Sequence, residues 1–178
     1  MNYQTIEEIY AANDKIRERL NAVLEGISEE TANALPEDEK WSIAKIVEHL
    51  SMVESGMMKI CSKLLSAAKE SGATAGGEAR ITGEFLQKLG GVKDVKVEAP
   101  EMVVPSGQKS IAESLAVMKE NRVKLNEMRN LFDSVGCADF TFPHPAFGKL
   151  NSNEWLALIG GHEARHTAQI ERLLAKIK

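Results

Sequence analysis

The stretch NEWLALIGGHEARHTAQIERLLAKIK, residues 153–178, decides the fold. It is predicted to be one long helix that begins near Asn151 and Ser152 and continues to the C-terminus. Arg172, Lys176 and Lys178 lie where they complement the negative end of a helix dipole. The chain therefore closes with a helix long enough to span a whole domain.

Two histidines on this helix are placed to bind one metal ion together. His162 and His166 are four residues apart, so their Cβ atoms lie roughly 5–6 Å from each other on one face. Neutral imidazole nitrogens bind zinc, nickel, copper and ferrous iron alike. Trp155 and Gln169 fall on the same face. Spacing alone leaves open that these side chains are only exposed or hydrogen-bonded.

Three further helices are predicted, over residues 5–25, from an N-cap at Ser42 to about residue 71, and over residues 109–132. No strand pattern of comparable strength occurs. Four helices of this length predict an all-α protein, a four-helix bundle in a single domain spanning residues 1–178. The residues of the third helix expected to be buried are Ile111, Leu115, Met118, Val123, Leu125 and Met128.

Two long connections join these helices. Residues 72–107 are expected to be mostly irregular, with a short helix at 84–89, and such a length suggests that this link crosses the bundle or lines a site. Residues 134–150 are expected to be a loop with prolines on both sides of His144. His144 is a candidate fourth ligand or substrate contact, with simple loop packing as the alternative.

The second helix contributes His49, whose face also carries Gly56. A lone histidine on an apolar face is usually a hydrogen-bonded core residue, so spacing alone makes it a weak candidate ligand. A glycine inside a helix costs about 1 kcal/mol relative to alanine. Gly56 either leaves open space or admits a neighbouring helix, and the pair Gly160 and Gly161 allows the same two interpretations.

The segment HEARH, residues 162–166, matches the zinc-protease motif H-E-x-x-H, in which the glutamate is the general base. Only 12 residues follow His166, and the H-x-x-G-x-x-H extension is missing. A di-iron carboxylate bundle needs two Glu-x-x-His units, and the sequence supplies only Glu163 with His166. Both classes are set aside, and Glu163 is expected to pair with a basic group or to support a ligand.

Composition excludes several other classes. The chain has 178 residues, 43% hydrophobic and 27% charged, with a formal net charge of -4 and no dominant basic patch. Nucleic acid is therefore not expected as a partner. We expect no signal peptide and no membrane span, hence a cytoplasmic protein. Cys61 and Cys137 form no motif and are expected to be reduced.

Two segments resemble a known family. WSIAKIVEHLSMVE (41–54) and HPAFGKLNSNEWLALIGGHEARHTAQIERL (144–173) are similar to the corresponding stretches of DinB-like (YfiT-like) four-helix proteins. The resemblance implies an up-down-down-up bundle with its long connection between helices 2 and 3. It also implies one divalent metal ion held by His49, His162 and His166. Homodimers are common in the family.

The same resemblance implies a class of reaction for this protein. Characterised relatives are thiol-dependent transferases that use bacillithiol or mycothiol, one branch is an isomerase, and many members have no known activity. Three histidines leave coordination positions open, as in catalytic sites. The leading hypothesis is a metal-dependent thiol S-transferase acting on small electrophiles, whatever the ion is (zinc, nickel or iron). The alternatives are a non-catalytic, stress-related metal-binding bundle and a hydrolase with Glu163 as base.

Overall fold

The computed structural model describes residues 3–91 and 100–177, which form seven α-helices and one two-stranded sheet. A short 3-10 helix, Glu101–Val103, precedes α5. The α-helices are α1 (Ile6–Leu24), α2 (Glu29–Asn33), α3 (Ile43–Glu70), α4 (Gly83–Gly91), α5 (Ile111–Glu127), α6 (Arg129–Ser134) and α7 (Ser152–Ile177). The strands are β1 (Thr141–His144) and β2 (Gly148–Asn151).

The all-α prediction is confirmed for the main body of the protein. α7 packs against α1 and α3, and α3 also packs against α5. The helices begin where the sequence predicts. Ser42 caps α3 by accepting the amide of Lys45 at 3.4 Å, and Asn151 Oδ1 accepts the amides of Asn153 and Glu154 at the start of α7. The sequence did not predict α2, a single short helix between α1 and α3.

The predicted third helix, 109–132, is wrong as one continuous element. It breaks at Met128 into α5 and α6. The carbonyl of Leu125 accepts the hydroxyl of Tyr10 at 2.6 Å and the amide of Met128 at 3.1 Å, in place of the amide of Arg129 that a continuing helix would supply. Met118 and Leu125 are buried as expected, whereas Val123 is 52% exposed and its predicted burial is wrong.

The segment 134–150, expected to be a loop, contains a β-hairpin. β1 and β2 pair antiparallel, with Thr141 opposite Asn151 and His144 opposite Gly148. Gly148 has φ +81°, which a residue with a side chain rarely adopts. The prolines that flank His144 hid the strand pattern, because proline cannot donate to a ladder and is confined to edge strands.

The connection after α3 has more structure than a loop. The predicted helix at 84–89 is confirmed as α4, and it buries Phe85 against Phe147 at a ring distance of 5.7 Å. Residues 92–99 of the predicted connection lie outside the described residues. Of the cysteines, Cys61 and Cys137 are both free and buried. No helix among the described residues combines the length and hydrophobicity needed to cross a membrane.

The core has two apolar clusters with a polar layer between them. One cluster contains buried apolar residues of α1 up to Tyr10, of α3 from Met57 onward and of α7 up to Ile159. The other contains those of α1 from Leu20, of α3 up to Leu50 and of α7 from Ile170. The helix segments in between carry seven of the fifteen buried polar or charged residues in the described part of the chain, namely Asn13, Ser51, Glu54, Asn121, Glu163, His166 and Thr167. The candidate site lies in this layer.

The glycines of α7 let other helices approach closely. A Cβ on Gly160 would overlap the Oδ1 atom of Asn13 from α1, and one on Gly161 would lie 2.8 Å from Leu89 Cδ1 of α4. Gly56 of α3 differs, because nothing lies within 4 Å of a Cβ built there. Gly160 and Gly161 therefore allow close approach of neighbouring elements to α7, whereas Gly56 leaves open space beside α3.

This contrast gives a matched pair of variants. Gly160→Ala should lower the free energy of unfolding by about 1–3 kcal/mol, because the added methyl group forces Asn13 out of place. Gly56→Ala should raise it by about 0.5–1 kcal/mol, because alanine loses less entropy in an exposed helix. Urea unfolding of both variants measures the effect. Equal changes of the same sign would contradict the assignment.

Candidate metal centre

Helices α3 and α7 bring together the three histidines singled out in the sequence. A potential ligand atom from each of His49, His162 and His166 lies within 4.8 Å of the other two. The Nε2 atoms of His49 and His162 are 3.3 Å apart. The ring centroids of His162 and His166 are separated by 4.6 Å, as expected of residues four apart on one helix. Among the described residues, these three can hold one metal ion.

Two of the three rings have their tautomer set by a hydrogen bond. The Nδ1–H of His49 donates to the carbonyl of Val103 at 2.8 Å, and the Nδ1–H of His166 donates to Gln169 Oε1 at 2.8 Å. A carbonyl oxygen can only accept, so the proton sits on Nδ1 and the lone pair on Nε2. Such partners orient metal-ligating imidazoles in other proteins. This explains why Gln169 shares the histidine face.

Burial keeps the imidazoles neutral. His49 and His166 are 4% and 6% exposed, and His162 is half-buried. Burial lowers the pKa of His166 to about 3, with a further contribution from His49. Burial and the neighbouring histidines hold the pKa of His162 well below its ordinary value, and burial also lowers the pKa of His49. Neutral imidazoles are the form that binds a metal, so the donor set fits a divalent transition ion.

One face of the site is closed by Trp41 and by the segment that precedes α5. The Trp41 ring lies 4.9 Å from the His49 ring. Glu48, adjacent to His49, accepts the amide of Gly107 at 2.7 Å and the hydroxyl of Ser106 at 2.7 Å. Although burial opposes it, these hydrogen bonds lower the pKa of Glu48. Glu48 and His49 together therefore fix residues 103–107 on α3.

His144 lies outside the group of three. Its Nδ1 accepts the amides of Ala146 and Phe147 at 3.1 and 3.3 Å, within its own hairpin. Its ring packs against Phe147 and Trp155 at 4.9 and 5.4 Å. Of its three possible roles, fourth ligand, substrate contact and loop packing, these contacts support packing within the hairpin. Its charge is close enough to affect the pKa of His162.

Glu163 is engaged by a cation from another helix. Both of its carboxylate oxygens accept from Arg17 of α1, at 2.7 and 2.9 Å. Arg17 also donates to Glu54 of α3 at 2.5 Å. The expectation that Glu163 pairs with a basic group is confirmed, and this ion pair with Arg17 disfavours Glu163 as the general base of a hydrolase.

Sequence reasoning missed the buried acids of α3 and the partners that other segments bring to the site. Glu48 and Glu54 are acids inside the most apolar part of α3, and this unusual placement is a signal that was available. The roles of Arg17 and of the Val103 carbonyl had no signal, because each depends on which helix or loop lies alongside.

Comparisons with known proteins agree with this architecture. The model of the DinB superfamily matches residues 12–170. An uncharacterized protein of Bacillus subtilis (strain 168), YuaE, is 25% identical over 157 residues, which cover 87% of this chain and 90% of the relative. No solved structure matches the chain significantly.

The buried histidines predict the acid sensitivity of the metal-free protein. Their pKa values are lower in the folded chain than the ordinary 6.5, so the unfolded chain takes up more protons below that pH. The free energy of unfolding should be unaffected above pH 6.5 and should fall as the pH drops toward 3. Thermal melts in chelator should therefore show a flatter slope between pH 6.5 and 4.5 for His166→Gln. A slope equal to that of the wild type would refute the neutral buried state.

The hydrogen bonds of Glu48 predict that it protects nearby backbone amides, not the whole protein, from hydrogen exchange. Glu48→Ala should speed hydrogen exchange at the amides of Ser106 and Gly107 about tenfold or more, since bonds to a charged group contribute about 1.5–3 kcal/mol. Glu70→Ala, at the exposed end of the same helix, is the control and should leave both rates unchanged. Unaltered exchange in Glu48→Ala would show that residues 103–107 are held by other contacts.

Proposed function

Because the chain belongs to the DinB superfamily, we propose that it binds one divalent transition metal ion through His49, His162 and His166 and acts as a thiol S-transferase. The observation that carries the proposal is the convergence of three neutral imidazoles within 4.8 Å. Three nitrogen ligands are one fewer than a closed structural site usually has. The open coordination position is where a small thiol of the bacillithiol or mycothiol type would bind.

A divalent ion supplies Lewis acidity, which lowers the pKa of a thiol that reaches it. The chain's own residues would hold the ion and orient the imidazole ligands. His49 and His166 present Nε2 lone pairs because Val103 and Gln169 keep the protons on Nδ1. The Trp41 ring packs against His49, whereas His162 is only half-buried. A thiol and an electrophile would approach from the side of His162.

The transfer is a nucleophilic substitution. The thiol loses its proton to solvent, and its sulfur forms a bond to an electron-poor carbon of the electrophile. The carbon–halogen bond breaks and the halide leaves with the electron pair when the electrophile is a chlorinated aromatic. No oxidant or reductant is needed. A hydrolase is the less favoured alternative, since Arg17 occupies both oxygens of Glu163.

We also infer that the long helices form one domain in the up-down-down-up order. Contacts along α1 and α7 advance together, as between parallel helices, whereas those along α3 and α7 run in opposite directions. Contacts of α3 with α5 and with the segment that leads into α5 also advance together. The pairs are Asn13 with Leu156, Arg19 with Glu171, His49 with His162, Cys61 with Ser152, Glu48 with Gly107, and Ser55 with Asn121. The homodimer and the cytoplasmic location stay predictions.

Metal binding and turnover are tested separately. Wild-type protein should retain one equivalent of divalent metal in elemental analysis after gel filtration. Alanine at any of the three histidines should abolish retention, whereas the control His144→Ala should keep it. Metal-loaded protein should then accelerate the reaction of a low-molecular-weight thiol with a chlorinated aromatic, and chelator should remove the rate. Retained metal with no rate above background for any thiol would favour the non-catalytic bundle, and no retained metal would reject the centre.

A further inference from the structure

His162 lacks the outer hydrogen-bond partner that the other two histidines have. Its Nε2 faces the Nε2 of His49 at 3.3 Å. If the three histidines hold a metal ion as proposed above, all three Nε2 atoms must carry lone pairs, so the proton of neutral His162 must sit on Nδ1. Among the described residues, no hydrogen bond reaches that Nδ1. Metal-ligating histidines almost always donate this second N–H to a carboxylate, a carbonyl or water.

A buried acceptor without a partner belongs to a side chain that lines the same gap as His162. The Oε1 atom of Glu54 is buried and accepts no hydrogen bond, while Oε2 accepts from Arg17. Glu54 is 4% exposed. Glu54 and His162 line one narrow gap between α3 and α7, and its other walls are largely apolar, formed by Leu50, Met57, Met118, Ile159 and Glu163. An unsatisfied carboxylate oxygen is costly in such surroundings and calls for an explanation.

The neighbouring carboxylate differs from Glu54 in its partners. Both oxygens of Glu163 already accept from Arg17, so neither is an unpaired acceptor. Glu54 keeps one oxygen engaged by Arg17 and one free. Arg17 thus holds the Glu54 carboxylate in place without saturating it. The unused acceptor of Glu54 and the ring of His162 therefore line the same gap.

We propose that Glu54 is the positioning residue of His162: across this gap, its Oε1 accepts the Nδ1–H of His162 when the three histidines hold a metal ion. Each ligand then has one outer partner, which is a backbone carbonyl for His49, an amide for His166 and a carboxylate for His162. A carboxylate partner also raises the basicity of the imidazole it orients. The inference rests on the proposed metal centre.

The test uses the full chain loaded with Co²⁺ and compares Glu54→Met with the matched control Glu163→Met. Each variant removes one carboxylate from Arg17 and leaves the other. The exchangeable imidazole N–H protons of Co²⁺ ligands give strongly shifted proton NMR signals. Wild type should show three such signals, and Glu54→Met should lose one to rapid exchange with water. Its Co²⁺ affinity in chelator competition should fall about 10- to 100-fold.

The control separates orientation of the ligand from loss of an ion pair. Glu163→Met should keep all three N–H signals and change the Co²⁺ affinity by much less than Glu54→Met does. Should Glu54→Met fail to fold, Glu54→Gln keeps the side-chain shape and should weaken or shift the same single signal. Three unchanged signals and unchanged affinity in a folded Glu54 variant would overturn the assignment. Wild-type protein that binds no Co²⁺ would instead overturn the metal centre itself.

Discussion

The structure depends on one buried cation. Arg17 of α1 lies between Glu54 of α3 and Glu163 of α7, with its side chain 13% exposed and the two carboxylates almost fully buried. Taking these charges out of water is costly, and removing one partner from such a cluster typically costs 3–5 kcal/mol. The three helices must therefore meet where the charges pair. This requirement constrains their relative heights in addition to apolar packing.

The same constraint places the histidines. Glu163 directly follows His162 on α7, and Glu54 is five residues after His49 on α3. Pairing both acids with one guanidinium therefore brings their neighbouring histidines to the same level of the molecule. The polar layer between the two apolar clusters is where this happens. Gly160 belongs to the layer as well, because only a residue without a side chain lets Asn13 reach α7 and donate to the carbonyl of Leu156.

The connection before α5 completes the site from outside the helices. Its contacts with Glu48 and His49 bring a backbone carbonyl to the second nitrogen of one histidine. Gln169 does the same for His166 from within α7. The neutral, oriented imidazoles are thus a product of burial together with these partners. The cost of burying them appears at acid pH, where the unfolded chain takes up protons that the folded chain resists.

The sequence by itself determined where the long helices begin, including the N-cap at Ser42 and the start of the last helix near Asn151, and it singled out the histidine pair on that last helix. Helical periodicity, capping and a four-residue spacing are local, so they can be read from neighbouring positions. His49 was joined to the other two only by resemblance to a family, because nothing local shows which face of α3 meets α7. The tertiary structure decided the break at Met128, the hairpin around His144 and the exposure of Val123. It also decided the partners of Glu54, Glu163 and His49. Each of these depends on contacts between residues far apart in the chain, which local propensity does not encode.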